Sequence, residues 1–248
     1  MHLDLFSGIG GFALACRWAG LTTMQFVEIE PYAQKILKKN FPKVPIHSDI
    51  CTFSATNIQR QFILTGSWPC QPFSRAGNQR GNSDDRYLWP EMLRIIRESR
   101  PCWVVGENVI EIVKMDLSKV LSDLENSGYT TQVFRIPACA VGAEHKRERI
   151  WLVANTNSEQ INNCFHESLT KRSNKITSNI QNNWYSSSSS ITVQQSRSFF
   201  ESRLDRISHG LPRRVDRIKC LGNAIVPALA FQIVSNIIQI QKKIINHY

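Results

Sequence analysis

Cys70 lies in the run Gly66-Ser67-Trp68-Pro69-Cys70-Gln71-Pro72-Phe73-Ser74, directly after the apolar stretch Phe62-Ile63-Leu64. A thiol attacks as the thiolate and must reach its substrate, so a cysteine that ends a short apolar strand and enters a loop is placed as a nucleophile. Most strand-end cysteines are inert; the Pro-Cys-Gln-Pro-Phe-Ser setting is what distinguishes this one. A second apolar run, Trp103-Val104-Val105-Gly106, ends in Glu107-Asn108-Val109. Carboxyl ends of strands in an open parallel sheet face the ligand crevice, so Cys70 and Glu107 are expected at one rim. A partly buried carboxyl there can hold its proton and act as an acid, although an isolated Glu is more commonly solvated. His145-Lys146-Arg147-Glu148-Arg149 leads into Ile150-Trp151-Leu152-Val153. On a strand Arg147 and Arg149 share a face, and two guanidiniums can hold a phosphate or a base carbonyl. Taken alone, that stretch would read as a charged edge.

A further constellation is Asp4-Leu5-Phe6-Ser7-Gly8-Ile9-Gly10-Gly11-Phe12. Glycines between strand and helix let a ligand approach the backbone closely. The spacing is not the G-x-G-x-x-G of dinucleotide sites; with an acidic residue on the next strand it suits an adenosyl cofactor without a pyrophosphate. Glu28 ends that strand, where a carboxylate can accept both ribose hydroxyls, and Asp49 ends the third, near an adenine position.

The elements that must carry these residues alternate. Strands are expected over 3–6, 24–28, 44–49, 62–67, 102–107, 131–136 and 149–154. Helices are expected up to Trp18, from Pro31 (a favoured first-turn proline) to Asn40, and over 88–99 and 116–126. Repeated βα units imply an α/β fold, a mainly parallel sheet covered by helices on both faces. The stretch 71–86 is a long polar loop, a kind more often functional than merely connecting. Composition changes at Asn155: Asn, Ser, Gln and Thr dominate to about residue 202, including the run Ser186 to Ser190. Order is expected to resume near Leu204, and an amphipathic helix to close the chain between 225 and 245.

The 248 residues carry 30 Lys and Arg against 20 Asp and Glu, a formal charge of +10, which favours a polyanionic partner, nucleic acid before membrane. No apolar run approaches the roughly 18 residues of a membrane span. No signal peptide is recognised. Seven cysteines without a C-x-x-C pair disfavour a disulfide framework or a zinc site and suit a reducing cytoplasm.

Together, Asp4 to Phe12, Pro69-Cys70-Gln71, Glu107-Asn108-Val109, the Arg147-x-Arg149 pair and Gly222-Asn223 resemble, in order and spacing, the cytosine-5 DNA methyltransferase family of bacterial and phage type. The resemblance covers about residues 2–154 and 204–240. It implies a Rossmann-like S-adenosylmethionine-dependent methyltransferase fold with a small target-recognition region. Three parts are expected: a catalytic and cofactor-binding domain at 1–154, a short recognition region at 155–217, and a C-terminal helix at 218–248 returning to the first. The implied activity moves a methyl group from S-adenosylmethionine to C5 of a cytosine flipped out of duplex DNA. Cys70 would add to C6, Glu107 would bind or protonate N3, Arg149 would hold O2, Arg147 would support the active-site loop, and Asn108 would position Cys70 and Glu107. Phe6, Gly8, Gly10, Glu28, Ile29, Asp49, Ile50, Ser74 and Asn223 would line the cofactor site. Arg75, Arg86, Arg213, Arg214 and Arg217 would contact DNA phosphates. No metal is implied. A monomer acting on double-stranded DNA is expected, as in restriction-modification, and a partner endonuclease is not inferable.

Three departures from the family pattern stand out. Ile29 occupies a place where an aromatic often packs on adenine, His145 replaces a frequent Gln, and the recognition region is short and low in complexity. Two alternatives stay open. A transfer-RNA cytosine-5 methyltransferase would carry Cys-Phe-Thr, whereas this chain has only Cys51-Thr52-Phe53. A DNA-binding relic with a decayed recognition region is the non-catalytic alternative.

Overall fold

The structure, a computed structural model, describes residues 1–58, 61–69, 87–156 and 220–246. Seven strands form one sheet: β1 (His2–Leu5), β2 (Thr23–Val27), β3 (Ile46–His47), β4 (Ile63–Gly66), β5 (Trp103–Asn108), β6 (Tyr129–Ile136) and β7 (Arg149–Thr156), in the order β3-β2-β1-β4-β5-β7-β6. The pairs β1–β2, β2–β3, β1–β4 and β4–β5 are parallel. β7 runs antiparallel to both of its neighbours, β5 and β6. The fold is therefore α/β with a mostly parallel sheet, and β7 is its reversed strand.

The helices are α1 (Gly11–Trp18), α2 (Pro31–Asn40), α3 (Trp89–Ser99), α4 (Ile112–Met115), α5 (Leu117–Glu125) and α6 (Pro227–Asn246). Central strands are buried on both faces, so alternate residues feed two cores. Leu3, Leu5, Leu64, Val104 and Leu152 point toward α3 and α5, meeting Trp89, Met92, Ile96 and Leu124. Ile63, Trp103, Val105 and Trp151 point the other way, toward Phe12 and Cys16 of α1 and Leu229, Val234 and Ile237 of α6. By length and composition the helical stretch Cys220–Ile244 would suffice to cross a membrane, which corrects the sequence reading. Its buried stripe of Leu229, Ala230, Val234 and Ile237 packs it into this core.

Polar groups between β1, β2 and β4 are bonded in a chain. Thr65 donates to Asp4 Oδ1 at 2.8 Å, so its hydroxyl accepts from His2 Nε2 (2.8 Å), which leaves His2 Nδ1 to accept from Thr23 (2.9 Å). The His2 imidazole is fully buried, and burial lowers its pKa from 6.5 to about 3. Among the described cysteines, Cys16, Cys51, Cys139 and Cys220 form no disulfide; Cys102 is disulfide-bonded, a departure from the reading that disfavours disulfides.

Candidate active site

Four loops and one strand entry meet at a single edge of the sheet. The parallel strands β1, β2, β4 and β5 deliver Phe6, Glu28, Ser67–Pro69 and Glu107–Asn108 there with their carboxyl ends. Because β7 is reversed, its first residue, Arg149, reaches the same edge: Glu107 pairs with Trp151 and Asn108 with Ile150.

Glu107 is buried, 6% exposed. Arg149 Nε lies 3.1 Å from Glu107 Oε1. Burial raises the Glu107 pKa, and the Arg149 and Arg147 guanidiniums oppose the rise. Burial thus favours the protonated carboxyl at Glu107 more than it would be favoured in a solvated Glu, the direction that a proton donor in a ligand crevice requires. A narrow cavity is lined by Glu107, Arg147, Arg149, Ile136, Ala138, Trp151, Val226 and Leu229. Both arginines line this cavity, but Arg147 precedes β7 and has φ of +28°, so strand alternation is not what brings it there.

Asn108 ties β5 to the loop that runs toward Cys70. Its Nδ2 donates to Trp68 O at 3.0 Å, and its Oδ1 accepts from Val109 N at 2.9 Å. The Trp68 ring lies over Gly106 and against Trp89, with centroids 5.0 Å apart. A Cβ at Gly106 would stand 2.7 Å from Trp68 Cζ3, so only glycine admits the ring there. Cys70 itself lies outside the described residues, as do Ser74, Arg75, Arg86, Arg213, Arg214 and Arg217. The packing of Trp68 on Gly106, which the sequence reading did not single out, fixes the chain beyond β4, two residues before Cys70 in sequence. Its signal was a glycine in a strand, which often marks a close approach.

The glycine turn is bonded to the end of β2. Ser7 N donates to Val27 O (3.1 Å) and Ser7 Oγ to Asp4 O (2.7 Å). Phe6, Gly8 and Gly10 have φ of +51°, +53° and +89°. Glu28 Oε2 accepts from Gly8 N at 2.6 Å and Oε1 from Glu30 N at 2.8 Å, and burial raises its pKa against those bonds. Each oxygen retains a lone pair for a further donor, as a ribose hydroxyl would require. An added Cβ at Gly8 meets nothing within 4 Å, so that side of the turn is open. At Gly10 it would meet the side chains of Leu37 and Phe41 at 2.9 Å, so the absence of a side chain there lets α2 and the residue after it pack close. Ile29 is 69% exposed beside Glu28, an apolar surface suited to a base. Asp49 follows the two-residue strand β3 and caps its own turn, accepting from Cys51 N at 2.9 Å, with Ile50 buried behind it.

That turn is held from α3. Arg94 Nη2 donates to Ile50 O and Phe53 O, each at 2.9 Å, and Glu98 Oε2 accepts from Ala55 N at 2.8 Å. Arg94 also bonds Glu91 and Glu98. Sequence reading missed this brace, because the i, i+3 and i, i+4 charges on α3 look like an ordinary solvated face.

The family model for C-5 cytosine-specific DNA methylases matches residues 1–209. The chain belongs to that family. Among curated proteins it is 34% identical over 166 residues to the type II methyltransferase M.HhaI of Haemophilus parahaemolyticus, covering 65% of this chain and 50% of the relative. It is 36% identical over 157 residues to M1.ScrFI of Lactococcus lactis subsp. cremoris, covering 61% and 40%. The chain thus spans about half the length of the relatives it matches. Among solved structures, DNMT2 of Spodoptera frugiperda aligns with a TM-score of 0.55 at 26% identity, covering 63% of this chain and 50% of that one. The Dnmt2 methyltransferase of S. pombe aligns at 0.53 and 24% identity, covering 63% and 49%, a likeness of fold.

Proposed function

We propose that this chain is a DNA cytosine-5 methyltransferase that uses S-adenosylmethionine and a covalent Cys70–C6 adduct. The observation that carries the reading is the ion pair of buried Glu107 with half-buried Arg149 at the same edge as the glycine turn. The donor supplies an electrophilic methyl group on sulfur. Glu28 and the open face of Gly8 would hold its ribose and backbone, and Ile29 and the Asp49–Ile50 turn its adenine. Arg149 would fix the cytosine O2 while Glu107 gives a proton to N3. Protonation at N3 withdraws electrons from C6, so the Cys70 sulfur adds there and C5 gains the electron pair. The C5 electron pair would take the methyl carbon as its bond to the donor sulfur breaks, that bond's electrons staying on the sulfur as a neutral thioether. Loss of the C5 proton to a base would then expel Cys70 as the thiolate, and N3 would return its proton to Glu107. Exclusion of water falls to the stretch that contains Ser74, Arg75 and Arg86, with phosphate contacts from Arg213, Arg214 and Arg217. The 155–217 stretch would be the recognition region, short enough to suit a short or degenerate target.

The reading is tested by incubating the protein with methyl-labelled S-adenosylmethionine and either duplex DNA or transfer RNA. Label in DNA that disappears with Cys70→Ser supports it. Label only in RNA overturns it, and DNA binding with no transfer points to a relic. Bisulfite sequencing of DNA from expressing cells then reads the target sequence.

A further inference from the structure

The family resemblance assigns Arg147 to support of the active-site loop, but its contacts lie elsewhere. Arg147 Nη2 donates to two backbone carbonyls, Gly222 O and Ala224 O, both at 2.8 Å and more than seventy residues away. Between those carbonyls lies Asn223, exposed on the surface. One residue further on, Ile225 is seated on the start of α1: a Cβ on Gly11 would come within 2.6 Å of Ile225 Cγ1. The 222–225 segment is therefore held from two sides, by a guanidinium at the entry to β7 and by a side-chain-free residue next to the glycine turn. The backbone at Arg147 has φ of +28°, the left-handed region that a non-glycine residue occupies only when its surroundings require it.

We propose that Arg147 is a positioning residue that latches the Gly222–Ala224 turn against the glycine turn, so that cofactor affinity depends on the strand entry that also aims Arg149 at Glu107. This rests on the reading of the glycine turn as the S-adenosylmethionine site. Two residues apart on one strand entry, Arg149 serves the base side and Arg147 the cofactor side. Burial and the Arg149 charge lower the Arg147 pKa, yet it stays an obligate donor in the working range, so the latch is not a pH switch.

The test uses the full chain with Arg147→Ala and Arg147→Lys. For Arg147→Ala the expected result is a rise of about tenfold in the KM for S-adenosylmethionine, larger than the change in kcat or in the KM for DNA. Arg147→Lys, which keeps one charged donor, should recover part of the loss. Hydrogen exchange of the amides at 222–226 should quicken at least fivefold in Arg147→Ala and not in wild type. A merely structural role would lower the active fraction and leave KM unchanged, which overturns the proposal. So does a loss confined to kcat or to the KM for DNA, which would return Arg147 to the substrate loop. If wild type binds no S-adenosylmethionine, the functional reading has failed. Exchange at 222–226 then decides the latch by itself: unchanged exchange refutes it, and faster exchange retains the contact without the cofactor role.

Discussion

Replacing Gly106 with alanine should damage catalysis from a residue that touches no substrate. The new Cβ would stand 2.7 Å from Trp68 Cζ3 and 3.3 Å from Cη2, with Leu152 Cβ at 3.5 Å behind it. The shortest contact is about 0.7 Å inside the 3.4 Å at which ordinary packing begins. Trp68 cannot swing away cheaply: it is 4% exposed, its ring meets Trp89, and its carbonyl is held by Asn108. Over-packing of this kind costs about 1–3 kcal/mol. The displacement passes along Trp68 and Pro69 to the residue proposed to attack cytosine, and a misplacement near 1 Å costs on the order of 100-fold in rate. Circular dichroism melts and labelled-methyl transfer give the two readouts. The expected pattern is a modest fall in Tm with a rate loss much larger than the fall in folded fraction. A Gly106→Ala protein as active as wild type would refute the view that Trp68 sets the nucleophile's position.

Acid stability should depend on His2. Its pKa falls from 6.5 in an open chain to about 3 when buried, so its contribution is present above pH 6.5 and is lost as pH drops toward 3. The full loss amounts to roughly 5 kcal/mol at most; urea melts between pH 7 and pH 4 should show a steeper decline for wild type than for His2→Gln, and equal slopes would contradict the account. Arg94→Ala frees the carbonyls of Ile50 and Phe53 and should cost about 1 kcal/mol in stability, discounted for partial exposure. Calorimetric titration should show weaker S-adenosylmethionine binding by a few-fold, and unchanged affinity would remove Arg94 from the cofactor side. Asn108→Ala leaves Trp68 O without its donor and should cost about 1–2 kcal/mol with a large fall in kcat, read by thermal melts and steady-state kinetics.

Much of the frame was legible in the chain. Pro31 at a helix start, glycines closing strand-to-helix turns, and apolar runs ending in Glu28 and Glu107 located the elements and the working edge. Three features were not legible, each for a physical reason. The direction of β7 follows from pairing with β5 and β6, and pairing is a long-range property that local alternation does not encode. β3 is only Ile46–His47, since Pro45 offers no N–H and Asp49 turns the chain; side chains of α3 do the holding that a longer strand would. The Arg147 contacts join residues more than seventy positions apart, and Arg147 precedes β7 in a left-handed conformation that strand spacing does not anticipate.

The most direct test of the central claim is chemical trapping. Duplex DNA in which cytosine is replaced by 5-fluorocytosine is incubated with the protein and S-adenosylmethionine, then resolved on a denaturing gel. After methyl transfer C5 holds fluorine in place of a removable proton, so the Cys70–C6 bond cannot be undone. The account predicts a protein–DNA band that survives detergent and is absent for Cys70→Ser. An active preparation that gives no such band, or a band that persists in Cys70→Ser, would contradict it.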